Sequence, residues 1–175
     1  MLRFLSRLFR GTSLSSDAYN DVAEDSTAVI DGIFILVLAS VASGAGAIGL
    51  SIDELHNGGG SIFISAFLAN LMSWILWALT SVIVTSLFVQ AIPDLDLGLR
   101  FLRTSLLAQA PVILRLLGFV PVFGPWAIII VLAWQFAAMT VAVRQAFRFN
   151  SYWTALGPAV IGYIPVVLIN LFVLD

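Results

Sequence analysis

The sequence predicts an all-α, polytopic integral membrane protein: a bundle of five transmembrane helices preceded by a cytoplasmic amphipathic helix. Three observations lead there. Five long apolar runs fill most of the 175 residues. The chain is 61% hydrophobic and 10% charged, with a mean hydropathy of +1.05, far more apolar than a soluble domain. Its arginines gather in alternate gaps between the runs.

Residues 1–27 form a cytoplasmic N-terminal segment and residues 28–175 the membrane domain, with no linker long enough to divide it. On a helical wheel Leu2, Phe4, Leu5, Leu8 and Phe9 share one face of the first segment and Arg3, Arg7 and Arg10 the other. That pattern describes an interfacial helix on anionic headgroups. It is not a signal peptide, because polar and acidic residues follow Arg10 where an apolar stretch and cleavage site belong. A second short helix follows, with Ser16 or Asp17 as N-cap and Ala18, Tyr19, Val22 and Ala23 on one face. Asp21, Glu24 and Asp25 face the other way, either as a solvated surface or docked on Arg100, Arg103, Arg144 or Arg148.

A helix needs ~20 apolar residues to cross the hydrocarbon core. The spans fall at about 28–50, 61–92, 102–120, 121–143 and 153–174. Asp31 is the only charge in the first. The second exceeds a perpendicular crossing and should tilt or emerge. Asn57 to Gly60 reads as a flexible external loop before it, with Ser61 as N-cap. Arg103, Gln109, Pro111 and Arg115 interrupt the third, which as a re-entrant segment would leave four spans. Residues 118–125 form a tight external hairpin, and Pro158 and Pro165 should kink the fifth span.

Seven of the eight arginines lie on one side if the N-terminus is inside and the C-terminus outside. The positive-inside rule makes that side the cytoplasm, which places the chain in the cytoplasmic (inner) membrane and requires an odd number of spans.

Small residues at four-residue spacing in the first span, Ala39-Ser43-Ala47 and Ser40-Gly44, allow close helix approach. Packing within the chain and a homodimer seam are both open to them. Asn70, Gln109, Gln135 and Asn170 are isolated polar residues suited to interhelical hydrogen bonds of ~0.6 kcal/mol each. Asp31 and Arg115 lie about one turn inside the span ends, where each can snorkel or pair. Trp126 and Trp153 fall near interfaces, while Trp74, Trp77 and Trp134 lie deeper as packing residues.

No metal, cofactor or catalytic site is expected. His56, beside Asp53 and Glu54, is the only histidine, and the chain has no cysteine. Serines lack an intramembrane base, and a two-aspartate protease needs more than Asp31. The few arginines are accounted for by topology, which leaves none for nucleic acid. The expected partners are membrane lipids and either a second copy or another membrane protein.

Three stretches, Ala108-Gln-Ala-Pro-Val-Ile-Leu, 118–125, and Ala133-Trp-Gln-Phe-Ala-Ala-Met-Thr-Val-Ala-Val-Arg-Gln-Ala146, resemble the prokaryotic Yip family, as does the lead-in 17–28. Asp31 departs from the family's neutral polar residue, and Ser26 from a common proline. The resemblance implies five spans, a cytoplasmic N-terminus and a non-enzymatic role in scaffolding, partner recruitment or bilayer shaping. Eukaryotic relatives are associated with prenylated Rab-type GTPases, a function that does not transfer safely. The alternative is a small channel or transporter active as an oligomer, which would need a wet polar path.

Overall fold

A computed structural model describes residues 2–50, 55–89, 94–120 and 122–174. Asp53, Glu54, Ile92, Pro121 and Asp175 lie outside the described residues, as do the side chains of Leu2, His56 and Asn170. The described elements are helical: α1 (Leu2–Thr12), α2 (Ser16–Glu24), α3 (Ala28–Leu50), α4 (Leu55–Val89), α5 (Leu95–Leu107), a 3₁₀ helix (Ala110–Phe119), α6 (Gly124–Ala146) and α7 (Tyr152–Leu174). Five stretches are long and apolar enough to cross a membrane: Ala28–Leu50, Gly59–Leu87, Leu95–Phe119, Gly124–Ala146 and Tyr152–Ile169. In an apolar solvent the backbone must satisfy its own hydrogen bonds, and helices do so within each segment.

Three local expectations need correction. Residues 57–60 are not a loop, because α4 begins at Leu55 and places Ser61 inside the helix rather than at its cap. Its 35 residues extend roughly 52 Å at the α-helical rise, so the helix outruns the hydrocarbon core. The cap of α2 is Ser15, whose side chain makes no capping hydrogen bond.

The third correction concerns the third span, which starts at Leu95 and is not one α-helix. Asp94 sets the start by accepting the Leu97 N–H at 2.8 Å. Pro111 has no N–H to return to the Leu107 carbonyl, so α-geometry stops there and a ten-residue 3₁₀ helix continues the crossing. Residues three apart eclipse in that geometry, which puts Val112, Arg115 and Gly118 on one buried face.

α3 packs against α4 and the 3₁₀ helix, α4 against α7, and α7 against α6. α6 returns to α5 and the 3₁₀ helix, so the third span is enclosed between α3 and α6. Fully buried Trp77 stacks obliquely on Phe101, which meets Phe147 in turn. Outward residues such as Ile33, Phe34, Ile64, Leu68, Ile129 and Ile164 are large, apolar and exposed, as a lipid-facing surface requires. Trp126 and Trp153, near helix ends, are 65% and 83% exposed.

α1 and α2 form a strap over the end of the bundle where α3 begins and α6 ends. α1 lies along the third span: a Cβ on Gly11 would meet Leu107 and Ala110 within 3 Å. Phe4 and Leu8 pack on the core, and Phe4 meets Phe34 edge to face. Only part of the expected membrane-facing side turns outward, through Leu5 and Phe9.

Candidate functional site

The strap is held by charge and shape together. Arg3 and Arg7 both pair with Asp25, Arg7 also pairs with Asp31, and Arg10 reaches Asp21 at 2.7 Å. The three arginines assigned from sequence to the membrane surface are thus bonded to carboxylates of this chain. Asp31 at the head of α3 finds its partner in Arg7, which is itself buried. Asp25 also accepts the Thr27 hydroxyl at 2.8 Å and the Thr27 N–H at 2.9 Å. Those two bonds, followed by Arg7 and Arg3, lower its pKa to about 2.

α2 is clamped from below by three of the four arginines expected as docking points. Arg103 donates to the Ala23 carbonyl at 2.7 Å, at the C-terminal end of α2, where the helix dipole favours a cation. Arg100 stands 3.8 Å from Glu24. Arg144 donates to Ser16 Oγ at 3.2 Å and lies 4.2 Å from the centre of the Tyr152 ring. Arg148 instead ends α6 at a φ of 53°, with the Phe149 N–H closing back to the Arg144 carbonyl at 2.9 Å.

Three further anchors were not read from the sequence. Tyr19, fully buried, donates to the Gly11 carbonyl at 3.1 Å, and burial raises its pKa. Trp134, taken as a packing residue, donates to the Thr12 carbonyl at 2.9 Å. Tyr152 OH shares a 3.0 Å hydrogen bond with Ser16 Oγ. The apolar face of α2 signalled burial of Tyr19, but no local pattern names a partner more than a hundred residues away. A cleft of about 480 Å³ remains between α1 and α2, lined by Arg3, Ser6, Arg10, Asp21 and Glu24 among others.

Inside the bundle the polar residues meet across helices. Asn70 donates to Ser40 Oγ at 3.1 Å, and Gln135 donates to Gln109 Oε1 at 3.2 Å. Ala39, Ser40, Ser43 and Gly44 are buried within the chain, with Ala47 partly exposed. A Cβ on Gly44 would clash with Phe63 of α4, and one on Gly46 would lie 2.1 Å from the Arg115 carbonyl oxygen. The small residues thus serve contacts between spans of one chain.

Arg115 departs from the expectation that it snorkels or pairs. It is 7% exposed, and its Nη1 donates to Ser43 Oγ at 3.3 Å. Arg115 lies about one turn from the end of its span, but a guanidinium enclosed among helices instead of snorkelling to the interface needs hydrogen-bonding partners in place of water. Among the described residues, no group of three or more His, Cys, Asp and Glu side chains gathers for a metal ion.

These features define a class, a multi-pass helical membrane protein carrying a docked two-helix strap. Comparison with protein families, with functionally described proteins and with solved structures finds no match.

Proposed function

We propose that the protein is a non-catalytic scaffold or recruiting factor of the cytoplasmic membrane, working through its α1–α2 strap. In this reading the N-terminus is cytoplasmic and the C-terminus external. The observation that carries it is the ion-paired docking of α1 with Leu5 and Phe9 left facing outward. A helix that binds its own bundle through charge while offering apolar side chains outward is suited to engaging lipid or a partner's helix. The close backbone contacts at Gly46, Gly49 and Gly118 favour a packed interior over a wide solute path. The prokaryotic Yip resemblance implies the same kind of role and rests on the quoted motifs alone.

Deleting residues 2–10 tests the reading. It removes Phe4, Leu8 and three ion-paired arginines but leaves Tyr19, Gly11 and Thr12 in place. The truncated chain is expected to insert and remain folded while losing co-purifying protein or anionic lipid, measured by mass spectrometry after mild-detergent purification. Unchanged companions would overturn the recruiting role.

A further inference from the structure

The interior polar residues differ in how fully they are partnered. Asn70 bonds to Ser40, and Gln135 donates to Gln109, which leaves one neutral amide atom on each glutamine, Gln109 Nε2 and Gln135 Oε1, without a partner among the described residues. Arg115 uses only Nη1, on Ser43, while its Nε and Nη2 have no hydrogen-bond partner among the described residues. These two nitrogens form one edge of the planar guanidinium. Their N–H groups project in parallel, as the fork that matches the two oxygens of a carboxylate or phosphate. Arginine does not discard the charge by deprotonating. The ion pairs among the described residues belong to Arg3, Arg7, Arg10 and Arg100, and none reaches Arg115.

The backbone around this cation is fixed tightly. A Cβ on Gly46 would lie 2.1 Å from the Arg115 oxygen, and one on Gly118 would lie 2.4 Å from the Gly46 oxygen. Glycine on both segments brings α3 and the 3₁₀ helix together, so Arg115 cannot turn outward by a shift of its backbone. Ser43 Oγ is fixed too, since it donates to the Ala39 carbonyl at 3.0 Å while accepting from Arg115. One side of the guanidinium is therefore held and the other presents two donors.

We infer that Arg115 is an oxyanion-binding residue, its Nε–Nη2 edge taking a carboxylate or phosphate group within the bundle while Ser43 holds the opposite side. A lipid headgroup and a small soluble anion present the same chemistry, so the test separates them. Protein stripped of lipid in neutral detergent is titrated with inorganic phosphate or acetate, against sodium chloride at matched ionic strength, and its Tm is followed. In a second arm it is placed in nanodiscs of a galactolipid, which carries neither phosphate nor carboxylate, with or without phosphatidylglycerol.

A saturable rise in Tm is expected with the soluble oxyanions, or with phosphatidylglycerol alone if the headgroup is the source. Arg115→Lys keeps the charge without the fork and should weaken apparent affinity about tenfold or more. Arg115→Met should abolish the response. Ser43→Ala retains the fork and should keep a saturable response at lower affinity, which provides a reading if Arg115→Met does not fold. No saturable rise in the wild-type protein with phosphate, acetate or phosphatidylglycerol would overturn the proposal. So would an undiminished response in folded Arg115→Met.

Discussion

At the scale of single residues, the glycines separate what the sequence reveals from what it hides. Gly46 lies in the small-residue stretch of the first span, and Gly60 ends the Asn57-to-Gly60 stretch that reads as a loop. A Cβ on Gly46 would meet the Arg115 backbone oxygen at 2.1 Å, whereas one on Gly60 meets nothing within 4 Å. The Gly46 neighbour is backbone, so it cannot yield as a side chain tip can. Gly46→Ala should therefore cost about 1–3 kcal/mol, typical of overpacking. Gly60→Ala should gain up to about 1 kcal/mol, because alanine is the better helix former and Gly60 lies within α4. Thermal unfolding of both variants in one detergent checks the pair, and equal shifts would contradict the close approach of α3 and the 3₁₀ helix. The small-residue spacing of the first span was legible in the sequence. Its choice of partner was not, because spacing identifies a face and says nothing of what meets it.

At the scale of elements, the apolar periodicity of α1 and α2 marked two amphipathic helices. The arginine face of α1 suggested anionic headgroups as its partner, and the acidic face of α2 left solvent and docking both open. The structure instead pairs those arginines with carboxylates of the chain. That choice rests on long-range pairs, Arg7 with Asp31 and Arg103 with the Ala23 carbonyl, which no local window contains. The break in the third span was half legible: Pro111 announced an interruption, but the ten-residue 3₁₀ continuation depends on its packing against α3 and α6. The strap has a pH dependence of definite sign. Asp25 titrates at about 2 instead of 3.8, so its stabilising contribution is complete above about pH 4 and is lost as pH falls toward 2. Pepsin cleavage of the strap should accelerate over that interval in the wild-type protein. Asp25→Asn lacks the titrating carboxylate and should be cleaved faster at the upper end, with a smaller change between the two pH values. Taking the ratio of the two proteins cancels the protease's own pH dependence. A constant ratio would mean that Asp25 does not hold the strap.

At the scale of the whole molecule, the five crossings were legible because a run of ~20 apolar residues has few other solutions. Their order around the bundle was not, since α4 is separated from α6 by the enclosed third span in sequence yet reaches it in space through α7. The charge distribution now becomes a statement about orientation. Arg3, Arg7, Arg10, Arg100, Arg103 and Arg144 all bond at the strap end, and Arg148 follows directly after α6. Arg115 lies in the 3₁₀ helix that completes the third crossing toward the opposite end. Basic residues near span ends are retained on the cytoplasmic side, so the strap end should face the cytoplasm. The chain has no cysteine, so one introduced thiol is a unique reporter. Ser13 and Asn150 are exposed at the strap end, and Gly60 is exposed near the start of α4 at the other. In intact cells an impermeant thiol reagent should label Gly60→Cys and spare Ser13→Cys and Asn150→Cys, which should react once the membrane is permeabilised. The reverse pattern would invert the protein and place the strap outside, out of reach of any cytoplasmic partner. Labelling of positions 13 and 150 from opposite sides would break the five-span arrangement itself, because both positions flank one end of the same bundle.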